Sequence, residues 1–197
     1  MHDDRLKRAL TAIDAVNAQD PTPAPATGEP RALSYGRRMT GWLTQLRPDA
    51  PEALEIACRA QHIRRWDIPR TTFPEGRQGY LAWRRRLYTH HAEVTAGVLE
   101  NLGFDADTIA RVGFLLNKKH IKHDPDSQSL EDAACLVFLE NDLASFADKT
   151  DRDKMRGILR KTWNKMSDQA QEHARALSIP PEAQALMDGA IDPEDVA

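Results

Sequence analysis

The sequence has only two cysteines among its 197 residues, Cys58 and Cys135, and their separation fits no metal-binding motif. No stretch approaches the roughly 20 apolar residues that a membrane-spanning helix needs. The first ten residues lack the apolar centre of a signal peptide. We therefore expect two reduced, buried thiols, no membrane as a partner and a cytoplasmic location.

Several sequence motifs that carry well-known chemistry are also missing. The chain has no GxGxxG, no Walker loop, no HExxH, no CxxC and no GxSxG. Neither a helix-turn-helix nor a zinc finger is evident, so we expect no nucleic acid as a partner. A weak interaction with a phosphate backbone stays open.

What is present is helical periodicity, without the alternation of strands. Hydrophobic residues make up 41% and charged residues 29%, which is typical of a folded globular chain. Apolar spacing predicts an all-α protein of about eight helices. Six of them span about 3–18, 33–46, 51–65, 77–102, 105–118 and 129–147, and Thr150 and Ser167 begin two more. The helix near 129 is expected to open with a capping box formed by Ser129 and Asp132.

Composition divides the chain into three segments. Residues 1–31 carry a helix and the extended linker "QDPTPAPATGEP", residues 32–180 form the helical domain, and residues 181–197 form an acidic tail.

One segment has a strong positive charge. Residues 59 to 86 hold eight arginines and two acids, a net charge of 8 − 2 = +6, which favours an anionic ligand. Arg64 and Arg65 could hold a phosphate while Trp66 stacks on a base. Equally, the arginines could complement a helix end and the tryptophan could fill the edge of the core. For the run 84–86 we favour a solvated face.

Two stretches place charged residues beside apolar ones. In "VGFLLNKKHIKHD" the apolar run leads directly into Lys118 and Lys119, although lysines at a helix end are common. The helix containing "AACLVFLEND" is apolar on every side, so it should be buried. Its acids are Glu131 and Asp132 near the start and Glu140 near the end. A buried Glu140 would have to be neutral, paired with a cation or bound to a metal.

Two histidines have apolar neighbours at helical spacing. His90 lies on the stripe of Trp83, Leu87 and Val94, and His62 follows Cys58 by one turn. A histidine on an apolar face is more often a core residue than a ligand. The adjacent His91 and the cationic segment make the functional interpretation of His90 about equally favoured.

Four blocks resemble the family known as domain of unknown function 4202. They are "ACRAQHIRRWDIPR", "GYLAWRRRLYTHHAEV", "LLNKKHIKHDPDSQSLEDAACLVFLE" and "LRKTWNKMS", and the resemblance spans residues 54–177. This family name implies no activity.

A more distant resemblance is to the HD-domain phosphohydrolases, which are helical and bind a divalent metal. Three elements of their pattern have counterparts here. His90-x3-Val94 matches the first, Asn117-Lys118 replaces the His-Asp pair, and Leu139-Glu140 replaces Ala-Asp. The resemblance implies an HD-like core whose metal site is lost or rebuilt, because a lysine ammonium cannot replace a carboxylate ligand. Lys118 could instead pair with Glu140 and bind a substrate phosphate directly.

A rebuilt site would hold a divalent metal such as Mn, Fe, Zn or Mg, and whether any metal binds is left open. Its candidate ligands are His62, His90, Glu131, Asp132 and Glu140.

Three functions remain open. The first is an HD-like enzyme, in the manner of a hydrolase, that acts on a phosphorylated or otherwise anionic small molecule such as a nucleotide. Its catalytic residues would be His62, His90, Glu131 and Glu140, and its ligand-binding residues Arg64, Arg65, Trp66, Lys118, Lys119 and Asp132. The second is a non-catalytic module that senses a nucleotide or anion with a degenerate HD metal site. The third is a buried ion network that only fixes helix packing. We also leave open a homodimer.

Overall fold

The computed structural model describes residues 2–118 and 123–191. These ranges contain ten α-helices and no strand, apart from an isolated bridge between Pro23 and Pro30. The prediction of an all-α fold is therefore confirmed, with two more helices than expected. The helices are α1 (His2–Asn17), α2 (Arg31–Leu46), α3 (Glu52–Ala60), α4 (Gly76–Asn101), α5 (Ala106–Leu116), α6 (Pro125–Val137), α7 (Leu143–Ala147), α8 (Arg152–Trp163), α9 (Asp168–Arg175) and α10 (Pro181–Ile191).

The chain divides into two compact units after Leu130, at a point within α6. In the first unit α1 packs on α2, α3 and α4, while α5 packs on α3 and α4. Its fully buried side chains include Ile13, Met39, Leu43, Leu54, Ile56, Ile63, Leu87, Leu99 and Leu115. The division at residues 31 and 180 that composition suggested stays a prediction.

Helix α1 contacts the rest of the first unit through apolar and ionic groups. Ala9 and Ile13 are fully buried on its inner face. The Arg5 guanidinium donates to the Glu52 carboxylate over 3.1 Å and to Asp105 over 3.3 Å. The N-terminal helix is therefore held against α3 and the start of α5.

Helices α2 and α3 approach each other closely at Gly36. A Cβ atom at this position would lie 2.6 Å from the carbonyl oxygen of Arg59, which only glycine avoids. The side-chain amide of Asn17 donates to the same carbonyl over 3.2 Å. This close approach brings Tyr35, the residue before Gly36, next to the turn that follows α3.

Helix α3 ends at Ala60, five residues earlier than its periodicity predicts. A turn follows in which Arg64 adopts the left-handed conformation with a φ of 48°, and a 3-10 turn then covers Arg65–Asp67. The carbonyl groups of Ile63 and Arg64 lie beyond the end of α3, outside the α-helical hydrogen-bond pattern. The Arg64 carbonyl accepts from the backbone N–H of Asp67 over 3.1 Å, and both carbonyls also accept from side chains of α4, as described below.

The expected capping box at Ser129 and Asp132 is wrong. Helix α6 begins at Pro125, and the Asp124 carboxylate accepts from the backbone N–H of Ser127 over 2.8 Å. Proline is well suited to a first helical position, where its missing N–H is not needed.

Of the two later caps that the sequence predicted, one is correct. The Ser167 side chain accepts from the N–H of Ala170, which confirms the start of α9. Helix α8 is capped by Asp151 rather than Thr150.

The second unit contains the helix that was expected to be apolar on every side. Leu136, Val137 and Leu139 are buried, as predicted, and Phe138 is half-buried. A π-helical turn at Phe138–Asp142 separates α6 from α7. Helix α10, which falls in the segment expected to be an acidic tail, packs against α8 and α7 through Ala183, Met187 and Ala190.

Both cysteines are buried and neither forms a disulfide, which confirms the prediction of two thiols. Burial raises the pKa of the Cys58 thiol to about 12, so this group is protonated at neutral pH. No helix in residues 2–118 or 123–191 is long and apolar enough to cross a membrane.

An ion network joins three helices of the first unit. The Arg111 guanidinium makes a bidentate pair with Asp124, at 2.8 and 2.9 Å, and also donates to Asp126 over 2.6 Å. Arg47 binds the other oxygen of Asp126 at 2.7 Å. Because the geometry is bidentate and partly buried, these pairs should contribute more than exposed surface pairs do.

This network predicts a pH dependence of stability. Hydrogen bonds from Arg111 hold the pKa of Asp124 at about 2, below its ordinary 3.8. The unfolded chain therefore binds this proton at a higher pH than the folded chain, and the stabilisation is lost as the pH falls from about 4 to about 2. We expect Asp124→Asn to lower the free energy of unfolding by about 2 kcal/mol near neutral pH.

Urea unfolding at several pH values measures this effect. The difference between Asp124→Asn and the parent should narrow as the pH approaches about 2. Asp107→Asn, in the exposed first turn of α5, serves as the control and should change little. A difference that stays constant across the acid range would contradict the assignment.

Candidate functional site

Three rings meet in the first unit where the turn after α3 faces α2 and α4. The Tyr35 and His62 rings are stacked, with centroids 3.6 Å apart and planes 15° apart. The centroid of the His91 ring lies 6.2 Å from that of His62. We refer to Tyr35, His62 and His91 as the imidazole cluster. Tyr35 and His62 are half-buried, whereas His91 is only 2% exposed.

His91 has a fixed tautomer. Its Nδ1 atom lies 2.7 Å from the carbonyl oxygen of Ile63. A carbonyl can only accept, so Nδ1 carries the hydrogen and Nε2 bears a lone pair in the neutral ring. This Nε2 atom is buried, and among the described residues it has no hydrogen-bond partner.

The adjacent His90 makes the complementary contact. Its Nε2 atom lies 3.1 Å from the carbonyl oxygen of Arg64 and 3.4 Å from Oδ2 of Asp67. Both partners are acceptors, so Nε2 carries the hydrogen in His90. The Arg64 guanidinium pairs with the same Asp67 oxygen at 2.8 Å. His90 and Arg64 are thus engaged in a local structural contact at the edge of the site.

Three cations act on the imidazole cluster. Arg31, Arg65 and Lys118 all lower the pKa of His62 through their charges. The Arg65 guanidinium lies 4.6 Å from the centroid of the Trp83 ring. Among the described residues it makes no ion pair or hydrogen bond. A half-buried guanidinium with available N–H donors is well suited to binding an anion.

Two residues of the first unit have a strained backbone conformation. Arg64 and Lys118 are the two non-glycine residues with positive φ, 48° and 53°, within the part of the chain that the structure describes. Left-handed conformations cost about 1 kcal/mol or more for residues with a side chain. The two residues follow α3 and α5, and the Lys118 ammonium lies 5.9 Å from the Tyr88 ring centroid.

Burial keeps the two histidines of the cluster neutral. Burial, reinforced by the charges of Arg65 and Lys118, lowers the pKa of His62 well below 6.5. Burial likewise lowers the pKa of His91 to about 3, although its bond to Ile63 opposes this shift. At neutral pH the cluster therefore presents uncharged imidazoles among permanent positive charges.

The acids that the sequence singled out lie in the second unit. Glu131 is buried and its carboxylate lies 3.4 Å from the Lys165 ammonium. Asp132 is buried and accepts from the backbone N–H and the hydroxyl of Ser167, over 2.9 and 2.7 Å. These contacts stabilise the start of α9.

Glu140 is exposed, and it accepts from the side-chain amide of Asn141 over 2.9 Å. It is therefore not the buried carboxylate that the sequence raised as an alternative.

Other candidates have ordinary local contacts. Asn117 donates its side-chain amide to the Gly113 carbonyl over 2.7 Å. Trp66 is half-buried in the 3-10 turn, and Lys119 lies outside the described residues. Within residues 2–118 and 123–191, no group of three or more His, Cys, Asp or Glu side chains could hold a metal ion. A rebuilt metal site stays a prediction.

The arginines of α4 are directed to its surface. Arg84 lies 5.8 and 5.3 Å from the ring centroids of Tyr80 and Tyr88, and Arg86 pairs with Glu93 at 3.1 Å. Arg85 is exposed. These positions agree with a largely solvated arginine face.

Sequence reasoning did not single out Arg31, Tyr35 or His91. Tyr35 and Arg31 precede His62 by more than 25 residues, and no local pattern links them to it. His91 was treated as the neighbour of His90, since it lies off the apolar stripe. The available signal was the pair of adjacent histidines itself, because successive residues of a helix point about 100° apart and meet different partners.

Comparison with protein families gives one match. The family model described as Domain of unknown function (DUF4202) matches residues 7–187. Comparison with curated proteins and with solved structures gives no match.

The depressed pKa values predict the behaviour of the two histidines in solution. NMR titration between about pH 8 and pH 4 should leave the His91 ring resonances unchanged and show His62 protonating well below the ordinary value of 6.5. The unfolded chain binds both protons near 6.5, so the free energy of unfolding should fall as the pH drops below that value. Titration of both rings near 6.5 would refute the buried arrangement.

Proposed function

Since the chain belongs to a family that is defined only as a domain of unknown function, we propose a function from the geometry of its first unit. We propose that it binds a phosphorylated or otherwise anionic small molecule at the imidazole cluster. Arg65 and Lys118 would contact the charged oxygens, and Arg31 would add to the positive field. The ligand class includes inorganic phosphate and nucleotides.

The observation that carries the proposal is that the half-buried Arg65 guanidinium has no ion pair or hydrogen bond among the described residues. Arginine side chains that are partly withdrawn from water are ordinarily paired with a carboxylate or bonded to carbonyl groups. Burial and the nearby charges of Arg31 and Arg84 lower the pKa of Arg65, so its charge is held in an unfavourable environment. No described carboxylate offsets that charge. A bound anion would do so, with bidentate hydrogen bonds to the planar guanidinium.

The neutral imidazoles favour binding over catalysis. An efficient general acid or base has a pKa near the working pH. The pKa of His62 is well below 6.5 and that of His91 is about 3, so neither ring exchanges a proton readily at neutral pH. We therefore place the non-catalytic sensing function ahead of an HD-like hydrolase. The catalytic roles of His90, Glu131 and Glu140 remain predictions.

Titration calorimetry on the full chain tests the role of Arg65. The titrants are inorganic phosphate, pyrophosphate and a panel of nucleotides, followed by product analysis of each mixture. We expect Arg65→Met to weaken binding about tenfold or more, because charge-assisted hydrogen bonds contribute about 1.5–3 kcal/mol. Arg85→Met is the matched control, because it removes one exposed arginine and so changes the net charge of the chain by the same amount. This variant should bind anions like the parent.

Two results would contradict this proposal. One is the failure of every anion to bind, and the other is an equal loss of affinity in both arginine variants, which would indicate only a general field. If a bound nucleotide or pyrophosphate is converted to a product, the site is catalytic and the proposal of a non-catalytic sensing module is wrong.

The left-handed conformation of Lys118 allows a second test that separates binding from stability. Lys118→Gly removes the cation but relieves the strain at its φ of 53°, because glycine adopts this conformation without steric cost. We expect the free energy of unfolding to stay level or to rise by up to about 1 kcal/mol. Phosphate affinity should nevertheless fall about tenfold.

Urea unfolding and calorimetry on one preparation provide both measurements. The matched control is Gly103→Lys, which introduces a lysine at a glycine that has a φ of 74° after the end of α4. This change adds backbone strain, so it should lower the free energy of unfolding and leave anion affinity unchanged. Retained affinity in Lys118→Gly would exclude this lysine from the site.

A further inference from the structure

The Nε2 atom of His91 requires a donor that the described part of the chain does not supply. The Ile63 carbonyl fixes the hydrogen on Nδ1, so the lone pair of the neutral ring is on Nε2. This atom is buried and has no partner among the described residues. Buried acceptors without a donor are rare in folded proteins because they have lost their hydrogen bonds to water. A bound group is one explanation of such an atom.

The charges around His91 restrict what that bound group can be. A lone pair on an imidazole nitrogen could in principle bind a metal ion or accept from an O–H or N–H group. Arg65 and Lys118 both act on the His91 ring as positive charges, and they would repel a metal cation. They attract an anion. The suitable group is therefore a hydrogen-bond donor that belongs to an anionic molecule.

We propose that the site selects oxyanions that carry a proton, with the ligand O–H donating to Nε2 of His91 while Arg65 and Lys118 bind the charged oxygens. This inference rests on the proposed function and names its ligand class. Inorganic phosphate fits, since it keeps at least one P–OH group near neutral pH. Phosphomonoesters keep one in their monoanionic form, because their second pKa is about 6.

Sulfate is the discriminating probe. It has the tetrahedral shape and charge of hydrogen phosphate, yet it carries no proton near neutral pH. A sulfate oxygen facing the Nε2 lone pair would place two acceptors together, with no hydrogen between them. Arg65 and Lys118 would attract both anions, so the charge of the site alone does not separate them.

Calorimetry with sodium phosphate and sodium sulfate on the full chain gives the first measurement. We expect phosphate to bind at least about tenfold more tightly than sulfate, which corresponds to about 1.4 kcal/mol. His91→Phe keeps a ring but removes both the Nε2 acceptor and the Nδ1–H donor to Ile63, so the affinities for both anions should fall. The ratio of phosphate to sulfate affinity is therefore the measured quantity, and it should drop to about one. His91→Gln places an amide oxygen near the Nε2 position and should retain part of the preference.

The outcomes separate this inference from the proposed function. If phosphate and sulfate bind the parent equally well, the role of His91 is wrong although the anion site stands. A phosphate preference that persists in His91→Phe also overturns it. If neither anion binds, the proposed function fails and this inference fails with it.

A second measurement needs no variant, in case His91→Phe does not fold. Long-range ¹H–¹⁵N NMR spectra of the parent report both ring nitrogens of His91. We expect an unprotonated Nε2 whose resonance moves on addition of phosphate and stays in place on addition of sulfate. A hydrogen on Nε2 in the chain without ligand, or a resonance that saturating phosphate leaves unchanged, would overturn the inference.

Discussion

The early end of α3 is the constraint on which the candidate site depends. The helix stops at Ala60, and the carbonyl groups of Ile63 and Arg64 lie in the turn beyond it, where the Arg64 carbonyl also accepts from the backbone N–H of Asp67 over 3.1 Å. The adjacent His90 and His91 of α4 donate to these two carbonyls, at 3.1 and 2.7 Å. One pair of contacts thus fixes the turn after α3, the orientation of two imidazoles and their tautomers.

His90 and His91 differ in which ring nitrogen bonds the turn and in where the other ring nitrogen lies. His90 uses Nε2 toward Arg64 and Asp67, near the surface. His91 uses Nδ1 toward Ile63, so its unprotonated nitrogen stays in the interior of the first unit. Their identical side chains therefore have different chemistry, and the difference comes from the 100° between successive residues of a helix. The histidine on the apolar stripe, His90, is the one whose Nε2 already has partners, and its proposed catalytic role stays a prediction.

The fold was largely predictable from the sequence, whereas the site was only partly so. Periodicity and caps identify α1, α2, α4 and α5 to within about two residues, and Ser167 identifies the start of α9, because amphipathic spacing and Ser or Asp caps act locally. The end of α3 was misjudged because the turn that follows it is held by a tertiary contact with His90 of α4. The start of α6 was misjudged although its signals are local: Asp124 caps the helix and Pro125 occupies its first position.

For the site itself, sequence reasoning identified the segment that contains His62 and Arg65 through its positive charge. It could not identify Tyr35, which reaches His62 only through the close packing of α2 on α3 at Gly36. It also gave weight to Glu131 and Asp132, because buried acids are costly. Their partners, Lys165 and Ser167, lie more than 30 residues away and become visible only in the folded chain.

A purely structural explanation accounts for some of these features but not for all of them together. Bonding of two carbonyls explains why α4 has adjacent histidines. Stacking on Trp83 accounts for the position of the Arg65 guanidinium, but it leaves the N–H donors of that group without an acceptor among the described residues. Neither contact requires a lysine in the left-handed position of residue 118, where glycine would be more stable.

Each of these features has a cost in stability, and each supplies either a positive charge that acts on His62 and His91 or the acceptor of His91 itself. Several destabilising features in one region are characteristic of binding sites, where function requires residues that lower the stability of the fold. The cations alone would suit any anion. The buried acceptor among them suits a ligand that also carries a hydrogen-bond donor, and this combination is the basis of the proposed preference for protonated oxyanions.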